Sequence, residues 1–118
     1  MSIKRNTTPV LPIKVHMPLE SIKRIEFLFK EAPMDKFPEL IRKAYDAENG
    51  GIPIREEEST GESFTVFCEF TAEETMKLPE GPVYMDTRPV LSDGTIPNTK
   101  IVEITVTPTL FSEVYSDD

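Results

Sequence analysis

From Phe64 to Val106 the chain reads as short runs of alternating side chains separated by turn residues. That pattern constrains the fold more than any other feature, because a period of two belongs to strands and not to helices. Phe64, Val66, Cys68 and Phe70 share one face of a run over residues 62–70. Thr71-Ala72-Glu73-Glu74 follows at once and predicts a capping box, in which the Thr71 hydroxyl and the Glu74 carboxylate each satisfy the other's backbone N–H. One or two helical turns through Met76 and Leu78 are expected before Pro79 and Gly81 stop them. Val83, Met85 and Thr87 form the next inward row. Asp93-Gly94 predicts a two-residue hairpin turn with positive φ at both positions. Val102, Ile104 and Val106 complete the core, and Pro108 ends the last strand.

The first half carries the same grammar less clearly. Leu11, Ile13, Val15 and Met17 alternate with Pro12, Lys14 and His16, which predicts a strand within 8–17. Pro9 and Pro12 cannot donate to a ladder, so this strand is expected at a sheet edge. Ile22–Lys30 is the next strand, with Ile25, Phe27 and Phe29 on one face and Ile22 and Leu28 as exceptions on the polar face. Residues 37–46 are ambiguous. Phe37, Leu40, Ile41, Ala44 and Tyr45 stand at helical spacing, yet ten residues are marginal for a helix. Asn49-Gly50-Gly51 is a turn, Ile52–Glu58 a short polar strand, residues 1–7 an extended arm, and 112–118 a loose tail.

Length and composition narrow the class. One hundred and eighteen residues suit one domain. Eleven prolines argue against long helices. No stretch approaches the ~20 apolar residues of a membrane helix, and no signal peptide is expected at the amino terminus. Cys68 is the one cysteine and cannot form an internal disulfide. Synthesis in the cytoplasm without export is therefore the expectation. A net charge of −8 disfavours nucleic-acid binding. The charge is uneven: residues 1–36 carry seven basic and four acidic side chains, residues 37–118 six and seventeen. The segments either lie side by side and partly cancel, or let opposite faces of neighbouring subunits attract.

No group stands out as chemistry. His16 lies on the polar face of an edge strand with no partner at a useful spacing. Cys68 lies on the apolar row, where a buried, inert thiol is expected. With one His and one Cys, a zinc site of those ligands is excluded. Glu56-Glu57-Glu58, with Glu62 nearby, lacks the oxygen spacing and glycine of a calcium loop and reads as a solvated charge run. Glu73 and Glu74 are explained by capping. Asn6-Thr7-Thr8 is a formal glycosylation sequon, expected to stay unmodified without export. The expectation is no catalytic, cofactor-binding or metal-binding residue, and a protein that is not an enzyme.

The opening Ile3-Lys4-Arg5-Asn6-Thr7-Thr8-Pro9 resembles the "IKRGTTP" start of small uncharacterised proteins from structural-gene clusters of phages and prophages of Gram-positive bacteria. Phe70-Thr71-Ala72-Glu73-Glu74-Thr75 resembles their "LTQEDT" segment. Val83-Tyr84-Met85-Asp86-Thr87-Arg88, the Asp93-Gly94 turn and Thr109-Leu110-Phe111-Ser112-Glu113-Val114 are similar in the same order. Asn6 replaces the usual glycine, Pro89 interrupts a strand normally apolar there, and 31–38 and 46–61 are longer. The resemblance implies a virion-associated or morphogenesis protein with an immunoglobulin-like sandwich, similar in arrangement to the amino-terminal domains of baseplate components. It implies other phage structural subunits as partners, or a homo-oligomer; with the charge and hydropathy above, no nucleic acid, no membrane and no cofactor are expected. It also implies a strand over 39–45, against the helical spacing. The alternative is a freestanding binding module or inhibitor of a host protein encoded by a prophage.

The expected fold is thus one all-β, immunoglobulin-like sandwich over residues 1–118, with six or seven strands and one short helix near 72–78. Its expected core is Leu11, Ile13, Val15, Ile25, Phe27, Phe29, Phe64, Val66, Met85, Val102, Ile104 and Val106.

Overall fold

A computed structural model describes residues 1–116 of the chain. Seven strands follow in order: β1 (Ser2–Lys4), β2 (Val10–Val15), β3 (Ile22–Lys30), β4 (Ile41–Asp46), β5 (Phe64–Glu69), β6 (Gly81–Leu91) and β7 (Val102–Thr107). One helix, α1 (Ala72–Met76), lies between β5 and β6. A five-stranded sheet has the order β1-β7-β6-β3-β4, and β2 pairs with β5 in a second sheet. With β2, β3, β5, β6 and β7 as immunoglobulin strands B, C, E, F and G, this is the G-F-C sheet facing B-E. The fold is the expected all-β sandwich.

Alternation builds the interior. On β2, residues 11, 13 and 15 are buried and 10, 12 and 14 exposed. On β5, Phe64, Val66 and Cys68 point inward. Phe27, Phe29 and Phe64 are fully buried in one core that draws on both sheets. Phe29 meets Phe70 edge-on, with centroids 5.4 Å apart, a geometry that aromatic quadrupoles favour. A register shift between Ile22 and Arg24 explains why Ile22 and Ile25 are both buried although their parity differs.

The prolines sit where a strand lacks a neighbour. β6 pairs with β7 over 81–85 and with β3 over 84–91. The Thr87 carbonyl accepts from the Thr99 hydroxyl and the Leu91 N–H donates to the Thr95 carbonyl, both away from β3. By alternation the Pro89 nitrogen also faces away from β3, where β7 no longer runs, so no ladder bond is lost. On β2, Phe70 N–H donates to the Pro9 carbonyl at 3.1 Å. Residues of the same parity therefore face β5, and Pro12 faces the open edge.

Several expectations need correction. Residues 1–7 are not an arm: β1 pairs in parallel with β7, and Ile3 is 1% exposed in the core. Ile52–Glu58 is not a strand. Ile52 and Ile54 pack against the core, Glu56–Glu58 form a 3-10 turn, and the Pro53 carbonyl accepts the Phe67 N–H at 2.8 Å, capping part of the outer edge of β5. The turn after β6 has three residues, Ser92, Asp93 and Gly94, with positive φ at Gly94 alone. The Gly94 N–H donates to Leu91 and the arms then part, so β7 starts only at Val102. Val102 is 40% exposed rather than core. Ile22, Ile41 and Leu78 join the core instead.

Other expectations hold. Residues 41–46 are a strand paired with β3, not a helix. The capping box at Thr71 and Glu74 is present. Asn6, which stands where the resembling proteins carry glycine, adopts φ 60, the one non-glycine residue among those described in the left-handed region. Asn tolerates that region better than most side chains. Of the expected loose tail, Glu113 is held by a bond from Asn6 Nδ2 at 2.7 Å, and residues 117 and 118 lie outside the described part.

Candidate interaction surface

The outer face of the five-stranded sheet carries a network of ion pairs. Its centre is Glu26 on β3, 8% exposed although it points away from the core. Pairing sets Arg88 of β6 directly opposite it on one side, and β4 places Arg42 and Asp46 on the other. Arg88 Nε donates to Glu26 Oε1 at 2.6 Å. Arg24 and Arg42 reach Oε2 at 3.3 and 3.4 Å. Arg24 also pairs with Asp46 at 2.8 Å, and Arg42 with Glu39. Three guanidinium groups thus meet three carboxylates.

Partial burial pushes the Glu26 carboxyl up, but Arg88 and then Arg24 outweigh it and hold it below the usual carboxylate range. The carboxylate stays charged because each lone pair finds a donor. Such a network fixes side-chain positions. It offers no group of intermediate basicity for proton transfer.

Beside it the face turns apolar. Leu28, Ala32, Pro33, Met34, Tyr84 and Ile101 line most of a shallow groove of about 290 Å³. Met34 is 51% and Ile101 47% exposed. The groove exists because Leu28 and Tyr84 have outward parity on β3 and β6, while the loops at 31–36 and 95–101 fold up on its two sides. A rigid charged field next to exposed apolar side chains is the composition of a protein contact, with anchors at the centre and ions at the rim.

The groups singled out from sequence do not converge on this face. Cys68 is buried between the sheets, with its Sγ 3.3 Å from the Tyr45 hydroxyl. Burial pushes the thiol up, and burial likewise pushes the Tyr45 phenol up. A thiol so disfavoured as thiolate is a poor nucleophile. Lys43, on the inward parity of β4, bonds Glu74 at 2.7 Å and stands 5.2 Å over the Phe70 ring. Burial raises Glu74, yet Lys43 and the Thr71 N–H hold it below the usual range. Glu74 therefore caps α1 and also ties it to β4.

His16 lies at the mouth of a second cleft, between β2 and the segment 98–102. Glu56–Glu58 are exposed. Among the described residues no three His, Cys, Asp or Glu side chains converge as metal ligands would. Asn6 and Thr7 of the sequon are engaged in bonds to Glu113 and Lys4. No described helix is long and apolar enough to cross a membrane.

The outer-face network escaped the sequence reading. Arg88 and Glu26 are 62 residues apart, and each alone reads as an ordinary polar position. The usable clue was Leu28, an apolar residue on a polar parity. No protein-family model matches this chain, and no curated protein matches it.

Proposed function

We propose that this chain is a non-enzymatic protein-binding module that serves a phage or prophage particle, as a virion-associated or morphogenesis subunit. The observation that carries the binding part is the outer sheet face. There Leu28, Tyr84, Ile101 and Met34 form an apolar groove next to ions locked in place by Glu26. Fixed side chains lower the ordering cost of association. The support for the phage part is the ordered resemblance from Ile3 to Val114.

Mass spectrometry of purified particles and of assembly intermediates tests the proposal. The expected result is the chain at a fixed ratio to the major structural proteins. Its absence from both, with the protein expressed, overturns the phage reading.

A further inference from the structure

The second sheet has only two strands, and the outer edge of β2 is unpaired among the described residues. Because residues 9, 11, 13 and 15 face β5, the backbone groups of Val10, Lys14 and His16 point outward. Pro12 blunts the first half of that edge, as natural edges are blunted. The second half, Lys14 to His16, keeps its donors. Beside that half opens a cleft of about 500 Å³. Its apolar walls are Val15, Met17, Met85 and Val102, and Lys14 and Lys100 stand at its rim. No carboxylate lines it.

The same chain carries a segment with the opposite character. After β7, Leu110 is fully exposed and Phe111 is 68% exposed. Glu113 follows, and Asp117 and Asp118 continue the acidic sequence. This segment starts at Thr107, which pairs with Lys4, and is held at Asn6. That is the opposite end of β7 from Val102. β7 is about 17 Å long at ~3.3 Å per residue. To fill its own cleft the segment would have to double back along the whole strand, whereas a neighbour's segment meets no such constraint.

We propose that residues 108–116 of one copy add to the outer edge of β2 in a second copy, as a third strand of the small sheet. This goes beyond the binding reading above, which concerns the outer face of the five-stranded sheet, and names a second copy as the partner at the β2 edge. Alternation sets which side chains enter. Leu110 and Val114 take the inward parity and enter the cleft, while Glu113 takes the outward parity beside Lys14, a cross-strand ion pair. Backbone pairing supplies strength, and the apolar wall and the lysines supply selectivity. The contact joins two different patches, so it is heterologous and propagates into rings or open chains.

Sedimentation velocity of the full chain over a range of concentrations tests this. Self-association is expected, weakening as salt rises because the rim is ionic. Leu110→Asp spoils the donor segment at a fully exposed residue, and Val102→Asp spoils the cleft. Each alone is expected to weaken association by at least about tenfold, the worth of one buried leucine-sized contact. An equimolar mixture of the two is expected to give a discrete 1:1 dimer, since one partner keeps an intact cleft and the other an intact segment. Lys14→Glu and Glu113→Lys each weaken association, and the double variant restores it.

A wild-type chain that stays monomeric at every concentration overturns the inference, and so does unchanged association of Leu110→Asp. Failure of the mixture to dimerise, with both variants showing a folded circular-dichroism spectrum, overturns it equally. A monomeric chain that is nonetheless found in particles would sink this inference alone and leave the proposed function standing.

Discussion

Phe27 and Glu26 are neighbours on β3, face opposite sides of one sheet, and are both almost removed from water. Phe27 gets there by packing: its ring is enclosed by the core and meets Tyr45 edge-on at 6.3 Å. Glu26 gets there because three guanidinium groups surround it. The inner face tolerates no unpaired charge and rewards volume. The outer face tolerates charge only in matched sets. Two adjacent positions are thus held by different physics, and they should fail differently.

Phe27→Ala should separate them most. Removing a fully buried ring is expected to cost ~3–5 kcal/mol in urea unfolding. A loss under ~1 kcal/mol would place the ring outside the core. Glu26→Ala should cost less, ~1–2 kcal/mol, because the arginines it releases keep water and other carboxylates within reach.

Acid sharpens the contrast. Glu26 and Glu74 both have folded-state affinities for protons below the ordinary range. The stability they contribute is therefore complete above the unfolded carboxyl value of ~4.3 and is lost as pH falls through their lower folded values. The midpoint of urea unfolding should fall from pH 5 to pH 3. In Glu26→Gln that slope should be shallower, while a mild core variant such as Ile104→Val should keep the wild-type slope.

Smaller effects follow. Thr71→Ala removes the cap of α1 and should cost about 1 kcal/mol. Val102→Ala should change stability by under ~0.5 kcal/mol, since the residue is 40% exposed. A loss of ~2 kcal/mol or more there would mean that the start of β7 closes over the cleft.

The inner face was legible because alternation is written locally. Phe64, Val66, Cys68 and Phe70 announce β5 without help from the rest of the chain, and Thr71 with Glu74 announces α1. β1 was hidden because Ile3 is the one apolar residue of a three-residue strand, flanked by Ser2 and Lys4, and its strand exists only through parallel pairing with β7. The turn at Asp93-Gly94 was read as too tight because its arms were assumed to stay paired. In fact Thr99 and Thr95 bond to β6 from a loop. The spacing at 37–46 left helix and strand both open because Ile41 and Tyr45 are i and i+4, which is also an even separation on one strand face; the strand expected from the resemblance is the one found. The Glu26 cluster needs β3, β4 and β6 together, so no single segment records it.

The change of partner along β6 has a mechanical consequence. The ladders to β7 and to β3 overlap only at Tyr84 and Met85. Tension drawn between the β1–β7 side and the β3–β4 side therefore enters β6 over 81–85, runs along its backbone and leaves over 84–91. Because that crossing is covalent, the sheet would give way first at the hydrogen-bonded rungs on either side of it, those to β7 over 81–85 or those to β3 over 84–91.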